Sequence, residues 1–162
     1  MDKELIKEMR QAIKKDDLQK VKLLIDNNEG LLNEVTPFGT WLHDATTFAS
    51  YELVKYFVEQ GIDVNKRGGI VESVAIKNAA FKGKLDMVKL LYENGAKLYV
   101  DDLSVNPLFA AIYNNHIEVA KFLVEKGIDL TANYAMGDLD KVDAYEYARQ
   151  YGRTEMLEFL RK

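Results

Sequence analysis

A chain of 162 residues, 48% hydrophobic and 30% charged, has the length and balance of one globular domain built on a continuous core. Its net charge of −4 argues against nucleic-acid binding by a general basic field. The absence of cysteine removes disulfides, thiolate metal sites and a cysteine nucleophile. No run approaches the ~18 consecutive apolar residues of a membrane span. The charged opening Met1-Asp2-Lys3-Glu4-Leu5-Ile6-Lys7-Glu8 lacks the apolar core of a secretory signal, so a cytoplasmic location is expected.

In chain order, the predicted elements fall into five similar frames, each a helix, a tight turn and a second helix, in one domain over 1–162. The first, roughly 1–36, carries Ala12 on its first helix, Asp16 in the turn, Val21 and Leu24 on its second helix and Asn28 at the stop. The second, 37–69, carries Ala45 and Ala49, then a helix over Tyr51–Glu59 with Tyr51, Val54, Phe57 and Val58 on one face and Glu52, Lys55 and Glu59 on the other. The third, 70–102, repeats this with Ala79, Gly83, Leu85, Val88, Leu91 and Tyr92. The fourth, 103–133, has Ala111, Asn115, Ala120 and Leu123, and the fifth, 134–162, has Ala148, Gly152, Leu157 and Leu160. The alanines are 33, 34, 32 and 37 residues apart. Gly61, Gly95 and Gly127 stop the second helices of the middle frames, as residues able to adopt positive φ do.

Gly39-Thr40-Trp41-Leu42-His43-Asp44-Ala45 resembles the Thr-Pro-Leu-His-Leu-Ala-Ala opening of ankyrin repeats, and Gly61-Ile62-Asp63-Val64-Asn65 resembles their Gly-Ala-Asp-Val-Asn ending. Asn106-Pro107-Leu108-Phe109-Ala110-Ala111 and His116-Ile117-Glu118-Val119-Ala120-Lys121-Phe122-Leu123 are similar to the same opening and second helix. The resemblance covers essentially the whole chain. It implies an all-α solenoid of about five stacked helix pairs with β-turn fingers at right angles, and a shallow concave surface that binds proteins. The departures are Trp41 in place of the family's proline, a third frame that opens on Val74-Ala75-Ile76-Lys77, and an enlarged loop over 133–140. The outer charges of the first frame (Lys3, Glu4, Lys7, Glu8, Lys14, Lys15), and Arg153, Glu155, Glu158, Arg161 and Lys162 at the other end, suit solubilising caps.

Catalytic chemistry has little to stand on, and no enzyme activity, cofactor or metal is expected. His43 holds the motif histidine position, where its imidazole is expected to bond backbone and tie neighbouring fingers together, and His116 lies in an inter-helix turn. His43 and Asp44 are adjacent on a helix and point about 100° apart, so they form no dyad. Lys66-Arg67-Gly68-Gly69 lacks the spacing of a phosphate loop. Asp101-Asp102 and Asp138/Asp140 lack the ordered ligand spacing of a calcium loop.

A partner is expected on the finger tips and the exposed side of each first helix. Two and three residues past each alanine stand Lys14-Lys15, Thr47-Phe48, Phe81-Lys82, Tyr113-Asn114 and Gln150-Tyr151, four of the five pairs holding an aromatic ring. Phe48, Phe81, Tyr113 and Tyr151 are therefore candidate contacts, since aromatics bury much area at little rotamer cost; packing against the next repeat is the other reading. Trp41, the acidic finger residues Asp101, Asp102, Asp138 and Asp140, and Tyr134 and Met136 of the enlarged loop complete the candidate site. An aromatic strip bordered by acidic tips suits a basic partner. The chain resembles single-domain ankyrin proteins that act as bacterial immunity proteins, which implies a monomer that blocks a toxin such as a basic nuclease, with no nucleic-acid or membrane partner. The alternative is a scaffold or adaptor with no toxin involved.

Overall fold

The computed structural model describes residues 2–161. Met1, and Lys162 of the expected C-terminal cap, lie outside them. The described residues form ten α-helices: α1 (Lys3–Lys14), α2 (Leu18–Asn27), α3 (Trp41–Phe48), α4 (Tyr51–Glu59), α5 (Ala75–Phe81), α6 (Leu85–Glu93), α7 (Pro107–Tyr113), α8 (Ile117–Glu125), α9 (Ala144–Gln150) and α10 (Thr154–Leu160). A single 3-10 turn follows α2 at Leu31–Asn33, and a two-stranded antiparallel sheet, β1 (Tyr134–Met136) and β2 (Leu139–Val142), precedes α9.

Local chemistry explains where the helices start. The carboxylates of Asp2, Asp17 and Asp143 accept the first free amides of α1, α2 and α9, and Asn106 does the same for α7, whose first residue is Pro107. Between the two helices of a pair the chain turns through a left-handed residue: Asp16, Gly83, Asn115 and Gly152 all have positive φ. Ala49, at the equivalent place, does not. Asn28, expected to end α2 through positive φ, is extended, and Gly30 takes the left-handed conformation instead.

The first helices stack in one row, α1 on α3, α5, α7 and α9 in turn, and α4, α6, α8 and α10 form a second row behind them. One core runs the length of the stack. The frame alanines Ala12, Ala45, Ala79, Ala111 and Ala148 lie in it, because only a small side chain lets adjacent first helices approach. Val21, Val54, Val88 and Ala120 fill the layer between the rows. The drifted third opening changes nothing in the stacking, since α5 packs against both α3 and α7.

The expectation of an all-α chain is corrected at one place. The enlarged loop is a β-hairpin turning at Gly137, with Tyr134 opposite Val142 and Met136 opposite Leu139. Elsewhere the fingers carry only single bridges, Thr36 with Gly39 and Gly68 with Ser73. The fingers at 36–39 and 68–73 meet closely. A Cβ on Gly68 would stand 2.8 Å from the Gly39 Cα, so this contact needs a residue without a side chain.

Candidate functional site

Each pair of helices is tied to the next at the turn end, and several fingers are tied to one another as well; these ties define the surface left free. At the turn end, the residue five past each frame alanine reaches back to the preceding frame. Ser50 donates through N and Oγ to Asp16 Oδ1, both at 2.9 Å. Lys84 Nζ donates to the Ala49 carbonyl (2.9 Å) and His116 Nε2 donates to that of Phe81 (3.1 Å), which also accepts from Asn114. Arg153 donates to the Tyr113 carbonyl. Arg153 is thus an inter-repeat tie and not part of the expected outer cap.

At the finger end His43 does what its motif position suggests. Its Nδ1 accepts from the Thr40 amide (3.2 Å) and lies 2.9 Å from Thr40 Oγ1, while Nε2 donates to the Ser73 carbonyl of the next finger (2.9 Å). Both ring nitrogens are used by a neutral imidazole. Burial lowers the pKa of His43 below its ordinary value, against the opposing pull of the Ser73 carbonyl and of Asp44 and Glu72. A further tie sits at Asn106, whose Nδ2 donates to Tyr134 Oη (2.8 Å), and that hydroxyl donates to the Val100 carbonyl (2.8 Å). Burial raises the Tyr134 pKa.

Several candidate contacts are therefore structural. Trp41 is wholly buried, and its indole N–H donates to the Leu31 carbonyl at 2.6 Å; it cannot touch a partner. The physical reason is direction: at the start of α3 the ring turns into the core, whereas proline would leave that space empty. Tyr134 is held inward by its hydroxyl, and Met136 packs partly against the core. Asp101 is exposed, but Arg67 grips both its oxygens at 2.8 and 2.7 Å and holds its pKa below the usual carboxylate range. Asp102 accepts the Ser104 amide, and hydrogen bonding from the Ser104 hydroxyl and then its amide lowers the Asp102 pKa. Asp138 and Asp140 stand exposed on the hairpin.

Phe48, Phe81, Tyr113 and Tyr151 are each exposed by more than a third, on the side of the first helices away from the second row. The Phe81 and Tyr113 rings stack at 5.9 Å, and Tyr113 meets Tyr151 edge-on at 5.0 Å. Lys14 Nζ lies 5.1 Å from the Phe48 ring centre and Lys77 Nζ 5.6 Å from that of Phe81. Burial lowers the Lys77 pKa.

The sequence reading missed a second apolar group on the fingers. Phe38, Ile70 and Val71 are exposed, Ile70 almost completely at 88%, and they line one cleft with Phe48. The signal was present: Ile70-Val71 directly after Gly68-Gly69 puts two β-branched apolar residues on a turn, where polar residues are the rule. It also missed Arg10, which binds nearly buried Asp44 in a fork (Nε–Oδ2 2.8 Å, Nη2–Oδ1 3.1 Å) and places its guanidinium carbon over the Phe38 ring, 3.6 Å from its centre.

Among the described residues no group of three or more His, Asp or Glu is placed to hold a metal, and no helix is long and apolar enough to cross a membrane.

The family description "Ankyrin repeats (3 copies)" matches residues 76–162. Alpha-latrocrustotoxin-Lt1a of Latrodectus tredecimguttatus is 31% identical over 144 residues, 84% of this chain and 10% of that protein. Protein fem-1 homolog A-like of Mus musculus is 28% identical over 75 residues, 46% of this chain and 11% of that one. A protein named as an ankyrin repeat protein of Acanthamoeba polyphaga mimivirus is 29% identical over 134 residues, 73% of this chain and 39% of it. The chain thus spans about a tenth of the length of the first two relatives. The repeated helix pairs, the histidine tie between fingers and the family match lead to one statement: this chain belongs to the ankyrin-repeat family.

Proposed function

We propose that the chain is a non-catalytic binding module that holds a partner protein across the concave face formed by its fingers and first helices. The observation that carries this reading is the row of rings, Phe48, Phe81, Tyr113 and Tyr151, each left more than a third exposed. Such rings expose apolar area that folding has left unburied, and association is what recovers it. Further support comes from both histidines, which are engaged with backbone carbonyls. On this reading the five helix pairs are five repeats, bounded near residues 36, 69, 102 and 133, in one monomeric cytoplasmic domain.

The test is affinity capture with the parent chain and with a variant carrying Phe48→Ser, Phe81→Ser, Tyr113→Ser and Tyr151→Ser, whose melting curve is checked first. Partners retained by the parent and lost by the folded variant are expected; identical retention by both sinks the reading. A toxin-neutralising role is the blocking form of the same binding, and a scaffold role is the alternative. Activity of the captured partner separates them, since an inhibitor abolishes it on addition and a scaffold leaves it intact.

A further inference from the structure

Four clefts join along the concave face. The first, about 350 Å³, lies between α1 and the finger at 36–39, and shares Arg10, Pro37 and Phe38 with the second, about 280 Å³. The second shares Thr47 and Asn78 with the third, and the third shares Lys77 and Phe81 with the fourth. The result is a continuous groove from α1 to α9.

Its lining is mostly cationic. Lys3, Lys7, Arg10 and Lys14 recur along one face of α1 at helical spacing, and Lys77 of α5 and Lys82 just past its end continue the line. Among the described residues the only carboxylate lining the four clefts is Asp44, which Arg10 already satisfies in a fork; Glu4, beside the first cleft, lies 3.7 Å from Lys7 and offsets part of its charge. Asp101, counted on sequence grounds toward an acidic rim, is held by Arg67. The groove is therefore cationic although the chain as a whole carries −4. At physiological salt a partner's charge senses only groups within about 8 Å, so the local sign governs.

Apolar area is concentrated in the second cleft, where Phe38, Phe48, Ile70 and Val71 converge between the cations of α1 and α5. We propose that the groove takes an acidic segment of a partner protein, with carboxylates on the lysines of α1 and α5 and a large apolar side chain seated among Phe38, Phe48 and Ile70. This rests on the reading of the concave face as the binding surface, and it reverses the partner charge expected from the sequence. A nucleic-acid strand fits less well. The most exposed apolar side chains of the second cleft, Ile70 and Val71, are branched and offer no stacking plane for a base, whereas they suit a large apolar side chain of a peptide.

The experiment is selection of random displayed peptides about twelve residues long, enough to cross the face at about 3.3 Å per residue, on the immobilised full chain. The enriched peptides are expected to be net acidic with at least one large apolar residue. Reversing Lys7, Lys14 and Lys82 to Glu is expected to weaken their capture by about tenfold or more, with the variant's melting curve unchanged. Phe48→Ser is expected to weaken it too. Enrichment of basic or uncharged peptides that still depend on Phe48 overturns the acidic partner and leaves the concave face standing. Peptides whose binding ignores both Phe48 and the three lysines overturn the concave face itself. A lack of any enrichment, or a single-stranded oligonucleotide that displaces the peptides at equal concentration, overturns the proposal.

Discussion

Trp41 makes the sharpest test of how the stack is held together. It replaces the proline common at this place in ankyrin repeats, is wholly buried, and donates its indole N–H to the Leu31 carbonyl at 2.6 Å. Trp41→Ala removes the ring, at about 3–5 kcal/mol for a buried aromatic. It also orphans the Leu31 carbonyl, at about 1–3 kcal/mol. Together these approach the whole stability of a domain, about 5–15 kcal/mol. Trp41→Phe keeps most of the ring and separates the two effects. It loses the hydrogen bond and about 1 kcal/mol of burial, for a total of about 2–4 kcal/mol. Urea unfolding followed by far-ultraviolet circular dichroism gives the numbers; fluorescence is unsuitable because Trp41 is the sole tryptophan. Hydrogen exchange adds location: amides of α1 and α2 lose protection while those of α9 and α10 keep it, since stability in a stacked array is a sum over neighbours. A Trp41→Phe protein within about 0.5 kcal/mol of the parent refutes the assignment of the Leu31 bond as a stabilising tie.

Three further outcomes are expected. His43 has a lowered pKa in the folded chain, so the unfolded chain binds the extra proton first; stability is full above about pH 6.5 and falls as pH drops through the folded pKa. In pH-dependent urea unfolding His43→Gln flattens that fall, and an unchanged slope contradicts it. Arg10→Met strands the nearly buried Asp44 carboxylate and costs about 3–5 kcal/mol, whereas Arg10→Met with Asp44→Leu recovers most of the loss, as a double-mutant cycle reads directly. Tyr134→Phe removes the hydroxyl between Asn106 and Val100 and costs about 1–2 kcal/mol, seen as faster exchange at 134–142 with α1–α4 unaffected.

The fold was legible because a repeat writes its packing more than once. A small residue recurs wherever first helices touch, as at Ala45 and Ala79, and a turn-forming residue recurs four positions later, as at Gly83 and Asn115. The same logic misled at Trp41. It stands in a motif, but the motif gives position along the chain and not which way the ring turns. The enlarged loop was visible as extra length, while its hairpin depends on Tyr134 and Val142 pairing across it. The charge of the groove was the least legible feature. Asp44 and Asp101 are each gripped by an arginine 34 residues away, Arg10 and Arg67, which no count of acidic residues along the chain reveals.

The turn-end ties carry a mechanical consequence. Each joins residues 33 to 40 positions apart, so each closes a loop of about one helix pair. Tension applied to the two ends therefore reaches the ties in series, and the last pair comes away only when its Arg153 tie, its Tyr134 tie and its packing on α7 and α8 are lost together. Every yielding step frees a similar length of chain, on the order of 110 Å at about 3.3 Å per residue. Pulling on the two ends of such a stack is expected to lengthen it in increments of similar size, one helix pair at a time.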